Sequence, residues 1–161
     1  MHAMLHRIYR VQDVAAGLAE VWEYFSNPVN LNALTPENMD FEIVRNDFER
    51  MVQGQLIGYR VRFMPLLRSR WLTEIAHVRE PEYFVDEQRL GPYTFWYHEH
   101  LFESIPGGTR ITDRVTYELP FGLLGNLVHA VWVGPRLKSI FDYRQTIVKN
   151  LFGSQDPDKK I

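Results

Sequence analysis

The stretch from Gly91 to Leu119 constrains the fold more than any other, because it reads as two long strands joined by a tight turn. The turn is predicted at residues 106–108, Pro-Gly-Gly, since proline and glycine supply the backbone angles that a hairpin needs. Alternate residues of a strand share one face of the sheet. One face of the second strand is all charge and hydroxyl, so the opposite face, which carries Ile111, is predicted to point inward.

The inward faces of this hairpin mix apolar and ionisable side chains. They consist of Trp96, His98, His100 and Phe102 on the first strand and Ile111, Asp113, Val115 and Tyr117 on the second. A mostly apolar face that also holds two histidines and an aspartate indicates a lined cavity rather than a solid core. We therefore expect the functional residues of the chain to line this cavity.

Length and charge exclude several classes of protein. The 161 residues fit one compact domain, predicted over residues 1–153, with a polar tail at 154–161 that we expect to be disordered. The net charge of −2, without any long basic run, argues against nucleic acid or an anionic membrane as partner. No window approaches the roughly 20 apolar residues of a membrane span, and no signal peptide is seen, which predicts a cytoplasmic location. The absence of cysteine excludes disulfides and thiolate metal ligands.

The rest of the chain adds strands and helices in a characteristic order. A first strand over residues 5–14 precedes a short amphipathic helix from Leu18 to Phe25 and a second short helix around Val29 and Leu34. A run of strands from Phe41 onward leads into the hairpin. These strands have short connections, so the sheet is predicted to be antiparallel.

A helical apolar stripe occupies the C-terminal part of the chain. It begins with the helically spaced residues Leu124, Leu127, Val128 and Val131 and continues, after Gly134-Pro135, to Leu151. A helix from Pro135 to Leu151 would be about 25 Å long, about the width of five strands, so it can lie across the sheet. The prediction is an α+β protein, in which a curved antiparallel sheet of six to seven strands wraps around a long C-terminal helix.

A series of short motifs over Ile8 to Phe152 resembles one known superfamily. The matching pieces are Val21-Trp22 with Phe25, Asn30-Leu31 with Leu34-Thr35-Pro36, Trp71 with Thr73 and Ile75, residues 84–88, Gly91-Pro92, the inward residues of the hairpin, Pro120 and Gly122. The chain resembles the START-like, or SRPBCC, superfamily with the helix-grip fold, which includes Bet v 1-type pollen allergens and polyketide cyclases. Within it, the chain is most similar to bacterial ligand-binding SRPBCC-domain proteins. The resemblance implies a cavity between sheet and helix but no agreed substrate.

Thirteen side chains are predicted to bind a ligand in that cavity. They are Trp71, Thr73, Ile75, Phe84, Asp86, Gln88, Trp96, His98, His100, Asp113, Tyr117, Phe141 and Arg144. An unpartnered buried polar group costs roughly 2–7 kcal/mol, so the polar members must pair with each other, with water or with a ligand. A structural network and a ligand-orienting one are both compatible with this pattern, and either predicts at least one direct His–Asp hydrogen bond.

Two of these groups leave alternatives open. Arg144 interrupts the helical stripe, so it either clamps a ligand carboxylate or pairs with Asp113, or else its guanidinium reaches water. His98 and His100 with Asp86 and Asp113 also resemble a set of metal ligands. Buried His–Asp hydrogen bonds explain the same spacing, so neither a metal nor a cofactor is predicted.

The main functional hypothesis is the binding of a small apolar molecule, of lipid, polyketide or aromatic type. The first alternative is an enzyme of cyclase or dehydratase type, with His98, His100 or Asp113 as candidate acid or base. The second alternative is a protein-binding module that uses the sheet or the loop from Pro120 to Gly125. Monomer and homodimer both remain open.

Overall fold

The computed structural model describes residues 4–64 and 67–155 and contains one seven-stranded antiparallel sheet. The strands pair in the order β1-β7-β6-β5-β4-β3-β2, so every neighbour except the β1–β7 pair is also a neighbour in sequence. Their bounds are β1 His6–Val14, β2 Glu42–Asn46, β3 Leu56–Met64, β4 Leu67–Arg79, β5 Tyr83–Leu90, β6 Phe95–Ile105 and β7 Gly108–Glu118. The predicted α+β class and the antiparallel sheet are confirmed.

Short helical segments connect β1 to β2. Helix α1 spans Leu18–Phe25, as the apolar spacing predicts, and buries Val21, Trp22 and Phe25. Two 3₁₀ turns follow, Pro28–Asn32 and Glu37–Met39, in place of the predicted second helix. Proline opens both turns, Pro28 as the first residue of one and Pro36 as the N-cap of the other, where its fixed φ suits the start of a helical turn and its missing N–H is not needed.

The C-terminal helical run is longer than the sequence predicts. It comprises α2, Leu123–Val128, a π turn, His129–Val133, and α3, Gly134–Phe152. Pro135 does not break the run, because the π turn before it has already widened the hydrogen-bond ladder that the proline ring would otherwise disturb. Gly134 closes this turn, since a Cβ there would lie 3.1 Å from the His129 carbonyl oxygen.

Helix α3 packs across the inner face of the sheet. Its buried residues are Leu137, Phe141, Arg144 and Val148. The helix joins two apolar clusters: one near Val148, with α1 residues and Phe84, and one near Leu137 and Phe141, with residues of β6 and β7. Arg144 lies on the helix between these two clusters, so a charged residue separates the two halves of the apolar core.

The first half of the helical run behaves differently from α3. The stripe of Leu124, Leu127, Val128 and Val131 was expected to continue the buried stripe, but these side chains are exposed. The buried side of this segment consists of residues such as Gly125 and Val133. Among the described residues, no helix combines the length and the apolar character needed to span a membrane.

Strand β4 departs from simple alternation. Its pairing with β5 shifts register between Ile75 and His77, so an extra residue stands between them. This bulge turns His77 to the exposed side and brings Val78 into the core, where it packs against buried residues. Strict alternation along this strand predicts that Trp71, Thr73, Ile75 and His77 share one face, and that prediction is wrong for His77, because a one-residue shift exchanges the two faces of a strand.

The β6–β7 hairpin forms as predicted. Its strands pair in register from Phe95 with Glu118 to Ile105 with Gly108, and Gly107 takes the positive φ of 81° that its place in the turn requires. Of the predicted tail at residues 154–161, the structure describes only residues 154 and 155. Nε2 of Gln155 donates to the Pro106 carbonyl oxygen at 2.7 Å. Residues 156–161 lie outside the described residues.

Gly108 provides a test of how closely β7 approaches β1. A Cβ at Gly108 would overlap the carbonyl oxygen of Val14, whereas a Cβ at Gly17 would meet no atom within 4 Å. We expect Gly108→Ala to lower the free energy of unfolding by about 2 kcal/mol or more, because the backbone must move. Gly17→Ala, at a φ of −69°, should be neutral or stabilising by up to about 1 kcal/mol. Urea unfolding measures both, and equal effects would contradict the close approach.

Candidate functional site

A pocket of about 160 Å³ lies between the inner face of the sheet and the helices. Its walls come from β3 to β6, from α3, and from α1 with the segments that follow it. Ten of the thirteen predicted residues line it: Trp71, Thr73, Ile75, Phe84, Asp86, Trp96, His98, His100, Phe141 and Arg144. A cavity of about 150 Å³ lined by apolar side chains can hold benzene, so this pocket has room for a ligand of at least that size.

The other side of the pocket was not predicted from the sequence. It is formed by Tyr24, Phe25, Asn27, Asn30, Leu31, Leu34, Thr35, Met39, Phe41, Met51, Tyr59 and Val61, with Leu137 and Ile140 of α3. Tyr59 and Val61 could have been found, because they share one face of an alternating strand. The turns after α1 have no such periodicity, so their inward residues carry no comparable signal.

Three predicted residues do not line the pocket. Gln88 joins β5 to the start of β6, since its Nε2 donates to the Tyr93 carbonyl at 2.7 Å and its Oε1 accepts from the Tyr93 amide at 3.2 Å. The hydroxyl of Tyr117 lies 2.7 Å from Nε2 of His129 in the π turn, and that imidazole stacks on His6. Asp113 lies deeper, behind the pocket wall.

Asp113 belongs to a buried group of five side chains, which we call the polar cluster: Asp86, His98, His100, Asp113 and Arg144. Asp86 is directly opposite His98 on β6, and His100 is directly opposite Asp113 on β7. The shortest hydrogen bonds are diagonal: Nε2 of His98 lies 2.9 Å from Oδ1 of Asp113, and Nε2 of His100 lies 2.7 Å from Oδ2 of Asp86. The predicted His–Asp hydrogen bond is confirmed, twice over.

Arg144 closes the cluster from the helix side. Its Nη2 lies 3.2 Å from Nδ1 of His100 and 3.5 Å from Oδ1 of Asp113. Its guanidinium also stands over the ring of Phe25, 5.2 Å from the centroid. Arg144 is only 8% exposed, so the alternative in which its guanidinium reaches water is wrong and the pairing with Asp113 is confirmed.

These distances assign the protons. Nδ1 of His100 lies 3.2 Å from Nη2 of Arg144 and 3.3 Å from Oδ1 of Asp113, and its Nε2 lies 2.7 Å from Oδ2 of Asp86. A guanidinium only donates, and its positive charge disfavours a second cation beside it, so we assign His100 as neutral, accepting at Nδ1 and donating from Nε2 to Asp86. His98 has a carboxylate at each nitrogen, with Asp86 Oδ2 at 3.4 Å from Nδ1 and Asp113 Oδ1 at 2.9 Å from Nε2. Two carboxylates on two N–H groups favour the imidazolium form. Positive His98 and Arg144 then balance the negative charges of Asp86 and Asp113.

The pKa shifts agree with this assignment. Burial lowers the pKa of His98, but the carboxylates of Asp86 and Asp113 outweigh it and leave the pKa raised. Burial and the positive charge of His98 lower the pKa of His100, despite its carboxylate neighbours. Burial opposes ionisation of Asp113, yet the Arg144 charge and both imidazoles hold its pKa well below the usual range. The pKa of Asp86 is lowered in the same way, against burial, by His98 and His100.

The members of the cluster differ in how far the pocket reaches them. The Asp86 side chain is 18% exposed, whereas the other four are 5–9% exposed. One oxygen of Asp86, Oδ1, accepts from Nε1 of Trp96 at 3.3 Å. Asp86 is therefore the charged group that a molecule in the pocket would meet first.

Asp86, His98 and His100 also have the spacing of a metal site, since one ligand atom from each lies within 4.8 Å of the others. In the assigned protonation state, however, His98 is charged and His100 carries its proton on the nitrogen that faces Asp86. A cation would have to displace both protons and would lie near the buried Arg144 charge. Hydrogen bonding accounts for the arrangement, and the absence of a bound metal stays a prediction.

Comparisons with known proteins identify the fold. No protein-family model and no curated protein matches the chain. Among solved structures, the protein TTHA0849 from Thermus thermophilus is 18% identical with a TM-score of 0.66, covering 92% of this chain and 99% of its own. A norcoclaurine synthase point mutant from Thalictrum flavum, in complex with a transition state analogue, is 13% identical with a TM-score of 0.65, covering 94% of this chain and 99% of its own. The ginseng major latex-like protein 151 from Panax ginseng is 10% identical with a TM-score of 0.67, covering 92% of this chain and 97% of its own.

At these identities the likeness is one of fold. The chain shares the fold of these structures, the helix-grip fold that the order of its sequence motifs predicts. The bacterial ligand-binding subgroup stays a prediction.

The opposite pKa shifts of the two histidines give opposite pH dependences. The raised pKa of His98 means that its stabilisation is complete below the ordinary value of 6.5 and is lost as pH rises through the folded pKa. The lowered pKa of His100 means that its stabilisation is complete above 6.5 and is lost as pH falls. Relative to wild type, His98→Gln should therefore cost more at about pH 5.5 than at about pH 9, and His100→Gln should cost less at the lower pH.

Urea unfolding of the two variants at both pH values measures this difference. Each variant should lose about 1–3 kcal/mol at the pH where its histidine contributes most, because a buried hydrogen bond to a carboxylate is lost. Parallel pH dependences in the two variants would contradict the assigned protonation.

Proposed function

We propose that this protein binds a small, largely apolar molecule in the pocket between β3 to β6 and α3. The observation that carries the proposal is the pocket itself, a largely apolar and aromatic space of about 160 Å³ whose ionisable residues Asp86, His98, His100 and Arg144 belong to one cluster. Removing apolar ligand surface from water contributes about 25 cal/mol per Å². A few well-placed polar groups in an otherwise apolar pocket are the usual means of orienting such a ligand.

The proposed binding unit is the predicted domain of residues 1–153, and the pairing of β1 with β7 and the packing of α3 on the same sheet support it. A protein of this fold, the norcoclaurine synthase mutant, was solved with a transition state analogue. That complex supports small-molecule binding here by analogy of fold alone.

Binding fits the pocket better than acid–base catalysis does. A general acid or base must be within hydrogen-bond reach of the substrate proton. Both nitrogens of His98 face carboxylates, and both nitrogens of His100 are engaged by Asp86 and Arg144. Asp113, the third candidate, lies behind the pocket wall. The candidates named from the sequence are thus held by one another rather than presented to a substrate.

Filling the pocket should abolish binding. Ile75 is 1% exposed and lines the pocket, so Ile75→Trp places an indole where the ligand would lie. We expect at least a tenfold loss of affinity for fluorobenzene, measured by ¹⁹F NMR, because the added ring removes the cavity volume. The overpacked variant should lose about 1–3 kcal/mol of stability and remain folded by circular dichroism.

Val44→Trp is the matched control. Val44 lies on β2, is 48% exposed and does not line the pocket, so this variant should bind fluorobenzene as the wild type does. Unchanged affinity in a folded Ile75→Trp protein would place the site elsewhere, and absence of binding by the wild type would refute the proposal.

A further inference from the structure

We infer that the pocket selects ligands that present a hydrogen-bond donor, such as a phenol, alcohol or amine, to the carboxylate of Asp86, and that it discriminates against carboxylates. This inference rests on the proposed function and adds the ligand class. It follows from which atoms of the polar cluster the pocket reaches and which of them are already bonded.

Asp86 is the acceptor of the cluster that lines the pocket. Oδ2 of Asp86 accepts from His100 and lies near His98, but Oδ1 has, among the described residues, the longer bond from Trp96 at 3.3 Å. A carboxylate oxygen can accept two hydrogen bonds, so Oδ1 has room for a donor from the ligand. The side chain of Asp86 is also the most exposed of the five.

The imidazole N–H groups of the cluster are already engaged, and so is one nitrogen of the Arg144 guanidinium. His98 and His100 direct their N–H groups to carboxylates, and Arg144 directs Nη2 to His100 and Asp113. A ligand carboxylate beside Asp86 would therefore meet a negative charge while the neighbouring imidazole N–H groups are already engaged. Like charges in a poorly solvated site repel strongly, whereas a donor to a charged acceptor forms a stronger hydrogen bond than a donor to a neutral one.

Four monosubstituted benzenes of similar size test the ligand class on the wild-type protein. Toluene has no polar atom, anisole only accepts, phenol donates, and benzoate is an anion. By isothermal titration calorimetry, we expect phenol to bind about tenfold more tightly than anisole, and benzoate to bind most weakly. Asp86→Asn should reduce the phenol-to-anisole ratio at least threefold, because the charged acceptor is lost.

Glu87→Gln is the matched control, because it removes a carboxylate charge from the residue next to Asp86 on β5, and Glu87 pairs with Arg89 outside the polar cluster and does not line the pocket. It should preserve the phenol-to-anisole ratio. If phenol binds no better than anisole, or benzoate binds best, the inference is wrong while the proposed function stands. If none of the four ligands binds, the proposed function itself fails. The wild-type series decides the matter even if Asp86→Asn does not fold.

A second observation concerns the outer surface of α2 and is independent of the pocket. Six apolar side chains there are between 39% and 83% exposed, and we call them the apolar ridge: Phe121, Leu123, Leu124, Leu127, Val128 and Val131. Together they expose on the order of 700 Å², more than the roughly 300–600 Å² of the largest apolar patch on a typical monomer. Met4 and Leu5, each 50% exposed, extend this surface, since Met4 contacts Asn126 of α2.

We propose that the apolar ridge packs against the same ridge of a second copy of this chain. A standard interface buries about 800 Å² per partner, which the ridge with Met4 and Leu5 approaches. Across a two-fold axis a surface meets itself, so charges near the axis would face their own copies. The sequence from Pro120 to Pro135 contains no Asp, Glu, Lys or Arg, which suits such a contact.

The same absence of charge argues against a membrane as the occupant. Helices that lie on membrane surfaces usually carry Lys and Arg beside their apolar face, and this segment carries none over sixteen residues. The net charge of −2 gives no attraction to anionic lipid either.

The mass in solution tests the dimer. Sedimentation equilibrium at about 100 µM should give twice the 19.1 kDa of one chain. Leu127→Lys should give a monomer that unfolds as a single species, because a buried charge at a two-fold contact faces its own copy. Leu90→Lys is the matched control, since Leu90 has similar exposure, 65% against 62%, on β5, and this variant should remain dimeric.

A monomeric wild type, or a Leu127→Lys variant that remains dimeric, would overturn the proposal. A monomeric wild type that sediments with phosphatidylcholine vesicles, with or without phosphatidylglycerol, would overturn it in favour of a lipid surface. Loss of the dimer has no bearing on the ligand series, so the two inferences fail separately.

Discussion

The rest of the structure depends on a charge-balanced polar cluster buried between the sheet and α3. Taking an ion out of water costs several kcal/mol, and only close, well-bonded partners offset that cost. Here two carboxylates are matched by Arg144 and the imidazolium of His98, and neutral His100 bridges Asp86 and Arg144. Removal of one member would leave an uncompensated charge, so the five residues act as a unit.

This cluster also explains why the interior is not a solid core. It occupies the middle of the space under α3, and the apolar clusters around Val148 and Phe141 lie on either side of it. Side chains that must keep their hydrogen-bond geometry cannot collapse to fill a void as alkyl groups do. The pocket lies beside the cluster, where β3 and β4 curve toward the turns that follow α1. The polar cluster thus sets the position of the pocket and supplies its charged residues.

The sequence predicted the half of the site that lies on regular strands. Period-two alternation put His98, His100 and Asp113 on one inward face, and complementary charge then required them to pair. Alternation gave the wrong face for His77, because a bulge leaves no trace in the sequence pattern. It also missed the inward residues of the turns after α1, because those turns have no regular period. It also could not separate Asp113 from Asp86, since both face inward and only their depth differs.

The apolar stripe of the last helical run shows a second limit of sequence periodicity. Periodicity reveals that Leu124, Leu127 and Val131 share one face of a helix, but not what that face meets. The stripe from Leu124 to Leu151, interrupted at Gly134-Pro135, suggested that both parts use one continued face. The π turn at His129–Val133 instead changes the helical register, so α3 packs on the sheet while α2 presents its leucines to solvent. These apolar side chains could form a core, but they are exposed to solvent. Burying them would stabilise the protein, and that requires contact with another molecule.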